Sequence, residues 1–92
     1  MNKIIEEAIN LRQTLMEDER VQEYFRLKKL FEEGEDLIDM RKNLALFKEE
    51  GREVEYLNLK ELYEHHPIVI NFYNSKEEVK DLINDIIEVL DI

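Results

Sequence analysis

Glu61, Glu64, His65 and His66 form the one local group in this sequence whose residue types suit a metal ion. Glu61 and His65 are four positions apart, so on a helix they face the same way. Di-metal carboxylate proteins need Glu-x-x-His on two helices. Here position 64 is Glu rather than His, and there is no second copy of the motif. The zincin pattern is absent as well. The plainer reading is that His65 and His66 end a helix, where imidazole suits the negative pole of the dipole and can bond the last carbonyls. A metal-dependent helical enzyme built on Glu61, Glu64 and His65 stands as a third hypothesis. Elemental analysis that finds no metal in the purified protein removes it.

The other chemistry-bearing residues are sparser. Glu17-Asp18-Glu19 and Glu32-Glu33-Gly34-Glu35-Asp36 carry calcium-type carboxylates. They lack the alternating carboxylates, central glycine and closing Glu of an EF-hand loop, so they read as solvated helix ends. Arg20, Arg26, Lys28, Lys29, Arg41, Lys42 and Lys48 gather in the middle of the chain. As a patch they suit RNA; the plainer reading pairs them with acids about one helical turn away. Ser75 and Thr14 are the only hydroxyl candidates besides tyrosine, and neither sits near a histidine in a nucleophile motif. No glycine-rich phosphate loop is present. With no cysteine, thiolate metal sites, disulfides and thiol catalysis are excluded. Nothing in the sequence supports an enzyme, and no cofactor is expected.

These residues sit on a chain that reads as helical throughout. Ninety-two residues make a single domain with a thin core, for which help from a partner subunit is plausible. Charged residues are 39% of the chain, with only 2 Gly and 1 Pro, a composition of helical bundles rather than sheets. The formal net charge of −10 repels phosphate backbones and anionic membranes, so no direct DNA binding is expected. No apolar run is long enough for a membrane span, and Glu6 and Glu7 interrupt any signal-peptide-like region. A cytoplasmic location is expected.

Five helices follow from the periodicity. Residues 2–16 place Ile4, Ile5, Ala8, Ile9, Leu11, Leu15 and Met16 at helical spacing. Asp18 is placed to cap the next helix, 19–33, with Val21, Tyr24, Phe25, Leu27, Leu30 and Phe31 on its apolar face. Gly34 is expected to end that helix as a left-handed cap; the alternative is a kink within one long helix. Residues 35–50 carry a narrow seam of Leu37, Met40, Leu44 and Phe47, and Gly51 ends them. A short helix spans 54–65, with Asn58 as an alternative start. Pro67 then opens the last and longest helix, where its missing N–H is not needed. That helix has a stripe of Phe72, Val79 and Ile86, widened by Leu82, Ile83, Val89 and Leu90, and would run on the order of 35 Å. The fold class is therefore all-α: four to five helices in antiparallel hairpins, with a long C-terminal amphipathic helix. Tyr73 points about a hundred degrees away from Phe72, and Ile70 lies beside it. Together with Val69 and Phe72 they are the candidate interface residues.

The chain resembles the YlbF/YmcA family of small bacterial helical proteins. The likeness runs through Leu11 and Leu15, the acidic cap, Tyr24 and the basic stretch after it, and the break Glu33-Gly34-Glu35. Its most specific part is the corner His66-Pro67-Ile68-Val69-Ile70-Asn71-Phe72-Tyr73. The resemblance implies an all-α fold and oligomers, with itself or with paralogous helical proteins. It also implies a non-catalytic regulator of competence, sporulation and biofilm formation that assists the endoribonuclease RNase Y in mRNA processing. Iron–sulfur binding by some members of that complex needs cysteine and does not carry over. The alternative is a self-associating structural bundle with no regulated partner.

Overall fold

A computed structural model describes residues 3–90 and is helical along almost all of that length. Asn2, where the periodicity starts the first helix, and Asp91 and Ile92, at the end of the last, lie outside the described residues, as does the Leu90 side chain. The elements are α1 (Lys3–Glu17), α2 (Glu19–Glu33), α3 (Glu35–Glu49), α4 (Glu53–Glu64) and α5 (Pro67–Leu90). The five expected helices are all present, and no strand occurs among the described residues. Asn58 is not a helix start: α4 already begins at Glu53.

Local chemistry explains each boundary. Asp18 accepts the Arg20 N–H at 2.8 Å and caps α2, as its position predicts. Gly51 has φ +70° and closes α3 in the left-handed region. The Arg52 N–H bonds the Phe47 carbonyl at 2.9 Å and the Gly51 N–H bonds that of Lys48 at 3.3 Å, the paired bonds of a Schellman turn. Arg52 then lies over the Phe47 ring at 4.7 Å, which ties the turn to the side of α3.

Gly34 breaks the chain but not as a left-handed cap. Its φ and ψ are −60° and 121°, an extended residue shared by both helices. Its N–H bonds the Leu30 carbonyl at 3.0 Å, and its own carbonyl accepts from Ile38 at 2.9 Å. The glycine is needed here for space rather than for dihedral freedom. A Cβ would stand 2.7 Å from the Leu30 carbonyl oxygen, a contact no side chain tolerates without moving α2.

The helices share one narrow core. Val21 and Leu27 of α2, Leu37 of α3, and Val69 and Phe72 of α5 are its buried apolar residues, and Ser75 is buried on the same stripe of α5. α2 lies antiparallel to α5. Phe31, near the end of α2, stacks on Phe72 with centroids 4.4 Å apart, while Val21, near its start, lines a groove with Val79 and Ile83. α1 continues in the same sense, since Leu11 meets Ile86 and Val89 farther along α5. α3 and α4 form the second antiparallel pair. The result is long and thin, 59 × 25 × 22 Å. Its radius of gyration is 18.6 Å, against about 12 Å for a compact chain of this length.

Candidate association surface

α5 is organised around Phe72, which is 7% exposed. Tyr24 stacks on it with centroids at 5.7 Å, and Tyr73 meets it edge-on at 5.5 Å. Offset and edge-on arrangements of this kind add favourable quadrupole contacts to the buried area. Phe31 in turn carries the Arg41 guanidinium over its face at 4.8 Å. Arg41 also reaches the Glu32 carbonyl at 3.3 Å, so α3 is tied to an otherwise open end of α2.

The structure divides the four candidate interface residues by helical phase. Val69 and Phe72 are 3% and 7% exposed. They are largely enclosed within the subunit's own core, and Val69 also lines the hollow between α3, α4 and α5. Tyr24 and Phe31 of α2 cover Phe72, whereas Val69 lies on the side of α5 that faces α3 and α4. Ile70 and Tyr73, on the flank, remain 41% and 50% exposed. They border a groove of about 520 Å³ between α3, α4 and α5, which Leu44, Tyr56 and Tyr63 also line.

The histidines have separate structural tasks. The His65 ring Nδ1 lies 2.7 Å from the Glu61 carbonyl oxygen, so it donates to the end of α4. His66 acts at the start of the next helix. Its Nδ1 accepts the Ile68 N–H at 3.1 Å, which makes it an imidazole N-cap in front of Pro67. An accepting Nδ1 leaves the proton on Nε2, which donates to Asp36 Oδ2 at 2.8 Å. Asp36 thereby joins the start of α3 to the α4–α5 corner across thirty positions of sequence. Glu64 sits 3.9 Å from Lys60. Among the described residues no three His, Asp or Glu side chains converge in metal-ligand geometry.

Asp36 is held below its usual value of 3.8, first by the His66 hydrogen bond. The sign of the pH effect follows from that direction. The charged form is favoured in the folded chain, so the contribution is complete above 3.8 and is lost as the pH falls through the lowered folded value. Between about pH 5 and pH 2, the thermal midpoint of the natural chain should therefore fall relative to that of Asp36→Asn. Asp18 and Glu23, held low first by hydrogen bonds from Arg20 and Arg26, titrate alike in both proteins and cancel. Parallel pH profiles for the two proteins would remove the Asp36 contribution.

Much of the basic stretch is locally occupied. Arg20 pairs with Asp18, Arg26 with Glu23 and Lys28 with Glu32, while Arg41 packs on Phe31. Glu23 and Arg26 meet at i,i+3, about one helical turn apart. These pairs are exposed and contribute little stability.

The larger surprise is at the other end of the molecule. α1 has no buried residue. Leu11 and Leu15 are half-covered, but Ile4, Ile5, Ile9 and Met16 are 80%, 56%, 51% and 49% exposed. Ile83 and Ile87 of α5 are 43% and 48% exposed. The signal for this was in the sequence. Ile5, Ile9 and Met16 form a second line on α1, set apart from Leu11 and Leu15, and treating all of them as one face hid it. No helix among the described residues is long and apolar enough to cross a membrane, so these side chains are not part of a spanning segment.

Comparison of the chain with family models, with curated proteins and with solved structures gave no match.

Proposed function

We propose that this chain is a non-catalytic regulatory or adaptor protein of the cytoplasm that works by docking a helical protein partner. The observation that carries this reading is the exposed pair Ile70 and Tyr73 beside the α3–α4–α5 groove. An aromatic and a branched aliphatic side chain at the edge of an apolar hollow are the usual makings of an interface hot spot. The groove is bounded by rigid helices, so docking there costs little ordering. The YlbF/YmcA resemblance at the His66–Tyr73 corner adds the kind of process: RNA processing or developmental control, through a paralogous helical protein or an RNase Y-containing complex.

Affinity capture with mass spectrometry, run on the natural chain and on Tyr73→Glu, tests this reading. A specific partner should be recovered with the natural chain and fall at least about tenfold with the variant. Equal recovery with both proteins would end the Tyr73 reading. Recovery of nothing but the chain itself would favour a self-associating bundle.

A further inference from the structure

We infer that the groove between the α1–α2 corner and the middle of α5 binds a small amphiphile, a medium-chain aliphatic carboxylate. The inference goes beyond the adaptor reading and uses none of the residues of the Ile70–Tyr73 face.

The first reason is the character of the walls. Met16 of α1, Phe25 of α2, and Val79 and Ile83 of α5 line a hollow of about 450 Å³. Met16, Phe25 and Ile83 remain about half exposed there. No acid lines this hollow, although 23 of the 92 residues are Asp or Glu. Four other hollows along the chain each carry a carboxylate, from Glu64, Glu61, Glu53 or Asp85.

The second reason is charge. Lys76 and Lys80, one turn apart on α5, line the same hollow. Neither forms an ion pair among the described residues, and Glu77, the nearest acid in sequence, pairs with neither. Glu78, Asp81 and Asp85 lie about 120–180° round α5 from the line between the two lysines. In a chain of net charge −10, two uncompensated ammonium groups beside an acid-free apolar wall are a local reversal of sign. An anion with an aliphatic tail complements both parts, and the Asn84 amide adds a neutral donor at the same edge.

The third reason is size. From Lys76 to Ile83 the groove follows α5 for roughly 10 Å. An extended chain of single bonds advances about 1.2 Å per bond, so roughly eight or nine bonds fit along it. The volume falls among those of small-molecule sites, about 300–1,000 Å³, which are apolar with a few placed polar groups. Two helical turns are short for a protein partner, since an interface of standard size takes roughly 800 Å² from each side. The carboxylate sits at Lys76 and Lys80, and the alkyl chain lies along Val79, Ile83 and Phe25.

Titration of the full chain with sodium decanoate, kept below its micelle concentration and followed by calorimetry and amide NMR, tests the proposal. One decanoate should bind per chain, with a Kd between about 10 µM and 1 mM. The amide shifts should gather around Met16, Phe25 and Ile83. Octanoate should bind about four- to fifteenfold more weakly, since each fully buried methylene is worth about fourfold. Lys76→Gln and Lys80→Gln should each weaken binding about two- to fivefold, while Lys80→Arg keeps it. Lys42→Gln, on α3 and outside the groove, should leave it unchanged. Ile83→Glu sets a carboxylate against that of decanoate and should weaken binding at least about tenfold. All these positions are exposed, so circular dichroism should show unchanged helix content. The absence of saturable binding would overturn the proposal, as would equal affinity for octanoate and decanoate. Equal losses from Lys42→Gln and Lys80→Gln, or shifts spread over all five helices, would reduce the effect to general adsorption and overturn it too. An acidic peptide that binds these residues where decanoate does not would replace the carboxylate with a protein ligand.

Discussion

Phe72→Ala should lower the unfolding free energy by about 3–5 kcal/mol, the largest loss expected from any single truncation in this chain. Phe72 is 7% exposed and touches rings from both α2 and α5. Removing it withdraws the buried area of the ring and opens a cavity between the two helices that pack most extensively. Small domains hold only about 5–15 kcal/mol in total, so the variant should sit close to its folding threshold. Tyr73→Ala is the internal control. Its ring is half exposed, so truncation should cost no more than about 1–2 kcal/mol. Urea denaturation of both variants decides the point. A Phe72→Ala midpoint no lower than that of Tyr73→Ala would mean that the aromatic cluster is not the centre of the fold.

Leu37→Ala is the second large effect, expected at about 2–5 kcal/mol. Leu37 is 1% exposed and is the only buried apolar residue that α3 contributes. Other ties from α3 include Asp36 to His66 and Arg41 to Phe31, to the Glu32 carbonyl and to the Tyr63 hydroxyl. All of them are polar or partly exposed, and such contacts cannot replace a buried aliphatic side chain. The loss should therefore appear unevenly. Hydrogen exchange should quicken in α3 and α4 before it does in α2 and α5, where Val21, Leu27, Val69 and Phe72 remain packed. Uniform acceleration across all five helices would show instead that the two helix pairs unfold as one unit.

The two effects have different origins. Phe72 joins elements distant in sequence, so its loss strikes the contact that makes a tertiary structure. Leu37 anchors a hairpin whose turn is already stabilised locally by Gly51 and by Arg52 over Phe47. That hairpin has helix caps and a Schellman turn of its own but buries little apolar area by itself.

What the sequence by itself determined is the set of helices and their ends. Asp18, Gly34, Gly51 and Pro67 each act on the backbone within a few residues, through a cap, a steric limit, a left-handed dihedral or a missing N–H. Such effects need no knowledge of the fold, and the observed boundaries follow them closely. Even there, the geometry at Gly34 depended on the next helix: its extended conformation reflects a corner between α2 and α3. Tertiary structure alone decided which apolar residues are covered. Val69 and Ile70 are neighbours of similar character, yet one is 3% exposed and the other 41%, because the surrounding helices enclose one flank of α5 and not the other. The same holds for the Asp36–His66 bond, which joins groups that no local pattern relates. It holds most clearly for α1, whose spacing announces an amphipathic helix but whose neighbours leave it uncovered. Periodicity reports that a face is apolar; only the placement of the other helices determines whether that face is buried in its own subunit or left for another.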